Sequence, residues 1–265
     1  MESTAMFRTI SCIAIVMALA LVPSTPAPAQ QWGNLRGKFV YDGAAPAPKP
    51  LDINKDLQCC TTKHVDESLV VGPDGGLANV IVYLKPAAGQ KVKAHPDYDA
   101  TADDEVSLDN NTCQFKPHVL AMRTSQTLVV KNSDMCSHNT NISPLGGGGI
   151  NPLIGAGQDV KHKFNRQQNL PIPVNCNIHP WMSAWVLPRD NPYFAVSDAD
   201  GSFEIKNLPA GADLEFQVWH ESAGYVEVPG LPKGTGKTNP FKKKIQAGDN
   251  DLGTIKLKPT IFKKK

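Results

Sequence analysis

The chain has almost no net charge. Its 27 lysines and arginines against 25 acidic residues leave +2, which removes the electrostatic case for nucleic acid as a partner. It has no sustained helical period after the first 29 residues, which argues against a helical bundle. Its apolar run Ile10 to Val22 is too short for a convincing membrane span. There is no His-x-His, and no Ser-His-Asp or Cys-His pattern is tied to a nucleophile motif. The run Gly146-Gly147-Gly148-Gly149 lacks a following Lys-Ser or Lys-Thr, so it reads as a surface loop and not as a phosphate loop. These absences leave no enzyme to expect.

What the chain does have is turns. Its 22 prolines and 21 glycines are spread along short apolar runs, the pattern of an all-β chain. At 265 residues it is long enough for two β-sandwich domains. Residues 1–29 read as a secretory signal peptide: Arg8 supplies the charge, Ile10 to Val22 the apolar core, and Ala27-Pro28-Ala29 the small residues for cleavage. The alternative is an uncleaved anchor. Cleavage removes Glu2 and Arg8 and leaves the net charge unchanged. The expected location is periplasmic or secreted, where disulfides persist. Cys12 leaves with the signal, and Cys59, Cys60, Cys113, Cys136 and Cys176 remain.

The informative stretch is Val174-Asn175-Cys176-Asn177-Ile178-His179-Pro180-Trp181-Met182. It puts a thiol, an imidazole and a thioether on one loop, each pair separated by two residues. Singly, Cys176 reads as half of a disulfide, His179 as a surface residue and Met182 as core packing. Together they form most of the ligand set that redox-active copper takes, and a second histidine completes it. Upstream, Asn132-Ser133-Asp134 leads to His138-Asn139. In Ile172-Pro173-Val174-Asn175-Cys176 the odd positions of the run share one face at period two, so Cys176 is expected to point inward.

At this point the chain resembles the cupredoxins, the small type 1 blue copper proteins, with a loop most like that of amicyanin. The matching region runs from about Val106 to Leu187 and includes Phe115 and Pro117, similar to the Phe-x-Pro of plastocyanin-like proteins. The resemblance implies a Greek-key sandwich holding one copper ion (Cu) on His138, Cys176, His179 and Met182. It implies that Asn139 ties the two ligand loops together and donates its backbone N–H to the cysteine sulfur. It implies that His179 reaches the surface through an apolar docking patch of Ile178, Pro180 and Trp181, where an unidentified redox partner protein meets it. His162, among apolar neighbours in Val160 to Phe164, reads as a satisfied sandwich histidine and not a ligand.

If Cys176 binds metal, the four remaining mature cysteines fit two disulfides, with Cys113 expected to join Cys59 or Cys60; Cys136 is alternatively a free thiol near the metal.

The flanks have another character. Gly37 to Gly43 and Asn79 to Leu84 read as strands, the second apolar on both faces and so buried. Lys91 to Asp104 reads as a polar linker. Tyr193 to Ile205 reads as a hairpin around an Asp-Gly turn, and Leu214 to His220 as a further strand. Asp198-Ala199-Asp200-Gly201 lacks the other ligands of a calcium loop and reads as a plain turn. Lys242 to Lys244 and Lys263 to Lys265 read as solvated edges. The flanking pattern resembles the carboxypeptidase-regulatory-like domains, an Ig/transthyretin-like sandwich. The expected layout is therefore signal peptide 1–29, first part of this sandwich 33–100, copper domain 101–191, second part 192–259 and basic tail 260–265. The alternative is a simple row of domains.

The expected function is one-electron transfer. An enzymatic copper pair would need a histidine beside the cysteine, and Cys176 is flanked by Asn175 and Asn177. Two alternatives differ in class: a copper-trafficking protein, with exchangeable metal and little blue colour, and a metal-free structural or binding module, with Cys176 in a disulfide.

Overall fold

The computed structural model describes Glu2, residues 30–87 and residues 89–262, and the signal-peptide reading and Lys263 to Lys265 fall outside them. The described chain is built of short strands in several sheets, with two short 3-10 turns. Among the described residues no helix is long and apolar enough to cross a membrane.

The middle of the chain forms two facing four-stranded sheets. One orders Asp159–His162, Thr127–Asn132, Glu105–Asn110 and Phe115–Lys116; the other orders Val119–Arg123, Ser183–Arg189, Ile172–Asn175 and Asn141–Ile142. Each contains one parallel pair. Leu108, Phe115, Met122, Leu128, Val130, Val174 and Val186 are buried between them. Each such side chain contributes roughly 1.5–3 kcal/mol of apolar burial. In Ile172–Asn175 burial alternates residue by residue, and the alternation carries on into Cys176, 2% exposed.

The two ends of the chain pair with each other. Trp32–Tyr41 lies between Ser202–Pro209, antiparallel, and Gly248–Leu257, parallel. Ile81–Leu84 lies between Phe194–Val196 and Asp213–His220, and all four of its residues are buried. Leu35, Phe39, Val80, Val82, Phe216 and Val218 share the core between these sheets. The two sandwiches meet at an apolar seam of Ile81, Tyr83 and Trp219 against Val119 and Leu187. There the rings of Trp185 and Trp219 lie 4.9 Å apart.

Two details differ from the expected pattern. The turn at Asp198 to Ser202 forms, but its arms do not make a hairpin: Phe194–Val196 joins one sheet and Ser202–Pro209 the other. Each arm buries its apolar face against a different layer, and sheet packing outweighs the local turn. Lys91 to Asp104 is not a bare linker either. It holds a 3-10 turn, Pro96–Thr101, fixed by Tyr98 Oη donating to Lys206 O and by Arg123 Nη1 donating to Tyr98 O.

A strap joins the first part of the chain to the middle sandwich. Its stem is closed by Leu51 N–H to His64 O and Asp66 N–H to Lys49 O. Its tip carries Cys59, bonded to Cys136, and Cys60, bonded to Cys113. Cys176 is the one free cysteine among the described residues. The disulfides close sequence separations of 77 and 53 residues, worth about 4 kcal/mol each in the chain-entropy account. Alkylation checks this pairing. Denatured, metal-free mature protein is expected to take up one alkyl group without reduction and five after it; two or more without reduction would contradict it.

Candidate metal centre

The donor atoms of His138, Cys176 and His179 lie within 4.8 Å of one another, and all three residues are buried. They come from two loops at one end of the middle sandwich. His138 sits in the short strand His138–Asn139, which pairs with Leu153–Ile154. Cys176 follows Ile172–Asn175 directly. The loop then turns back: Met182 N–H donates to His179 O at 2.9 Å and Cys176 N–H to Met182 O at 3.3 Å. Met182 is 1% exposed and belongs to the same core cluster as Cys176.

Asn139 does the tying. Its Oδ1 accepts from Asn177 N–H at 2.8 Å and Ile178 N–H at 3.2 Å, and lies 3.5 Å from the Cys176 sulfur. The structure therefore brings the side chain of Asn139 to the sulfur.

The electrostatics are set by two carboxylates. Nδ1 of His138 and Nδ1 of His179 face each other at 2.9 Å. The far nitrogen of each ring meets an acid: His138 Nε2 lies 2.9 Å from Asp134 Oδ2, and His179 Nε2 lies 2.8 Å from Asp56 Oδ2. An ionised carboxylate only accepts. With both rings neutral, each carries its proton on Nε2 and turns an Nδ1 lone pair toward the other. Two lone pairs at that distance repel until a proton or a metal ion is shared between them. With a thiol sulfur 3.7 Å from His179 Nδ1, the donor set is two imidazoles and a thiol in a dry pocket. These residues fit a soft divalent or monovalent metal ion. Burial, and then the neighbouring His179, hold His138 below the ordinary imidazole range, which keeps its lone pair available. The hydrogen bond from His179 holds the Asp56 carboxyl below its usual value.

Both acids are themselves fixed. Asp134 accepts from Thr112 N–H at 2.6 Å and Cys113 N–H at 2.8 Å. Asp56 has φ +48°, a left-handed conformation uncommon outside glycine, asparagine and aspartate. Its carbonyl accepts from Cys59 N–H and Cys60 N–H, both at 2.8 Å. The strap thus delivers Asp56 to His179 and is held there by both disulfides.

Neither acid stood out in the sequence as a site residue. Asp134 lies four residues before His138, a short-range signal of the kind that a carboxylate partner gives. Asp56 lies 123 residues from His179 and has no local signature; the adjacent Cys59-Cys60 pair was the only hint. The strap also changes the expected docking edge. His179 does not reach the surface: it is 0% exposed, with Asp56 over its outer nitrogen. Trp181 is half-buried and donates Nε1–H to Cys113 O at 3.1 Å, Ile178 is half-buried, and Pro180 alone of the three is exposed. The tip of the strap has taken the space an exposed histidine edge would occupy. His162 is not among the donors; its ring stands edge-on to Phe164 and its Nε2 has no partner, so it is not fully satisfied as expected.

No family model matches the chain, and no curated protein matches it. Solved structures similar to part of it include a mutant of amicyanin in its oxidized state, 18% identical over 32% of this chain and 82% of that one, with a TM-score of 0.30. A purple cupredoxin from Nitrosopumilus maritimus is 22% identical over 32% of this chain and 99% of that one, at 0.27. A copper-containing nitrite reductase from Thermus scotoductus SA-01 is 17% identical over 40% of this chain, at 0.29, and only 25% of its own length is covered. These likenesses concern less than half of the chain, and the functional reading below rests on its own side chains.

Asn139→Ala removes the acceptor of two loop N–H groups. It is expected to destabilise the metal-free protein by about 1–3 kcal/mol, measured by urea unfolding. A change within a few tenths of a kcal/mol would mean that Asn139 does not hold the loop.

Proposed function

We propose that this chain is an exported one-electron carrier whose single copper ion is held by His138, Cys176 and His179, with Met182 as a weak axial ligand. The observation that carries this reading is the pair of inward-facing imidazole lone pairs beside the free, buried thiol of Cys176. A trafficking site would need ligands near the surface for exchange, and these are buried. A metal-free module would share a proton between the two nitrogens and leave the buried Cys176 thiol unused.

Copper bound there would supply a one-electron couple between its +1 and +2 states. The protein's part is to keep its own atoms still while the charge changes. The ligand loop is cross-tied by Asn139, the upstream histidine by Asp134, and the downstream histidine by Asp56 on a doubly stapled strap. Apolar packing around Cys176 excludes water. This reading includes no bond-making step and no enzyme activity. The redox partner, a protein, would meet this end of the molecule, where Leu57, Met135 and Leu153 expose apolar surface on the segments that carry Asp56, Asp134 and the strand beside His138.

Visible absorption and electron paramagnetic resonance of mature protein with Cu(II) test the proposal. An intense thiolate-to-copper band with a small parallel hyperfine splitting is expected, and Cys176→Ser is expected to abolish it. Folded protein with no such band would end the electron-carrier reading. Met182→Leu is expected to keep the copper and shift its potential; an unchanged potential would remove Met182 from the ligand set. Asp56→Asn tolerates the same backbone conformation and takes away a negative charge near the metal. It is expected to raise the potential, because the negative charge removed favours the oxidised metal over the reduced one. Spectroelectrochemical titration reads both variants.

A further inference from the structure

The seam between the two sandwiches opens on one side into a cleft of about 590 Å³. One wall comes from the outer sandwich, with Tyr83, Lys85, Gln217 and Tyr225; the other comes from the middle sandwich, with Gln167, Asn169 and Arg189. It lies apart from the metal centre, and nothing in the one-electron reading uses it. Clefts of this size at domain seams are where small ligands usually bind.

Its charge is one-sided. Lys85, Lys91, Lys237 and Arg189 line it, and no Asp or Glu does. Lys85 is engaged only through Nζ–H to Thr235 O. Arg189 is 1% exposed. Its Nη1 donates to Gln168 O at 2.6 Å and its Nη2 to Leu84 O at 3.2 Å, both neutral carbonyls, and its guanidinium lies 4.7 Å from the Tyr83 ring centre. No carboxylate pairs with it among the described residues, and Nε has no partner. A buried cation without a paired counter-charge costs several kcal/mol, and burial opposes its charge more than Tyr83 and Asp190 support it.

Its hydrogen-bonding deficit is equally local. Six buried polar side-chain atoms lack a partner among the described residues, and three belong to this cleft: Arg189 Nε, Gln167 Oε1 and Gln217 Oε1. Turning the Gln217 amide over does not cure it. Its Nε2 already donates to Val218 O and Thr238 O, and reversal would set oxygen against both carbonyls. Gln217 is itself 1% exposed, so this shortage sits in the floor of the cleft. What is missing is negative charge for the four cations and a hydrogen-bond donor for the amide oxygens. A sulfate or a plain dicarboxylate brings charge but no donor. An ammonium group brings the donor but is repelled by the cations. A hydroxyl group on a carboxylate brings both.

We propose that this cleft is a binding site for a small hydroxycarboxylate, its carboxylates toward the lysines and Arg189 and its hydroxyl toward Gln167 and Gln217.

Isothermal titration calorimetry on the purified full-length mature protein at low salt tests this with three probes: L-malate, succinate and inorganic sulfate. L-malate is expected to bind saturably, one per chain. Succinate, which is malate without its hydroxyl, and sulfate are each expected to bind about tenfold more weakly, since the amide oxygens stay unpaired. A Lys85→Glu/Lys237→Glu variant keeps Arg189 and the fold, checked by an unchanged unfolding midpoint. It is expected to lose at least about tenfold in malate affinity. No malate binding, or equal affinity in wild type and variant, would overturn the site. Equal affinity for malate, succinate and sulfate would overturn the ligand class.

Discussion

Two imidazole nitrogens held 2.9 Å apart, each with its proton turned away toward a carboxylate, form a constraint that one buried positive charge relieves. Most of the surrounding construction serves to impose it. Asp134 is locked by two backbone N–H groups, Asp56 by the strap and its disulfides, and the loop that bears Cys176 and His179 by Asn139. Remove any one of these ties and a ring can rotate, share a proton or take water. The site is defined less by its donors, which are common residues, than by the acceptors behind them.

How much of this was legible depended on sequence distance. Cys176, His179 and Met182 lie within seven positions, and the alternation of Ile172–Asn175 gave the direction in which the thiol points. His138 was found by searching for what that loop lacked. The buried strand Ile81–Leu84 was readable because it is apolar on both faces. Asp56 was not readable, since a single aspartate in a polar loop carries no mark of the histidine it will meet. The split of Tyr193 to Ile205 between two sheets was hidden for a related reason: turn chemistry is local, whereas the choice of partner strand is made by distant apolar faces. Arg189 carried no mark in the sequence, and only its burial reveals it as a cation without a paired carboxylate.

The outer sandwich gains meaning from what it contributes to its neighbour. It supplies the strap that covers His179, and it supplies one wall of the charged cleft. Its contact with the middle sandwich is apolar and aromatic at the centre, with Trp185 against Trp219. It is hydrogen-bonded at the rim, where Tyr83 and Tyr225 both donate to Asn169 O. A seam of that kind holds the two bodies in one arrangement and keeps Asp56 aligned with the ring it serves.

The pairing of the two ends has a consequence for the order in which the molecule can assemble. Asn34 and Asp249, neighbours in the outer sheet, are 215 residues apart in the chain, whereas the disulfides span 77 and 53. Loop closure over the longer distance is entropically dearer and slower. The middle sandwich can gather its strands and accept the strap while Trp32–Tyr41 still waits for Gly248–Leu257. Oxidation of Cys59 and Cys60 then tethers the unfinished outer half to a finished body and shortens the search that remains. Seen this way, the two sulfur bridges act as a folding guide as well as a clamp, and refolding with those cysteines blocked is the condition under which the outer sheet would close last and most slowly.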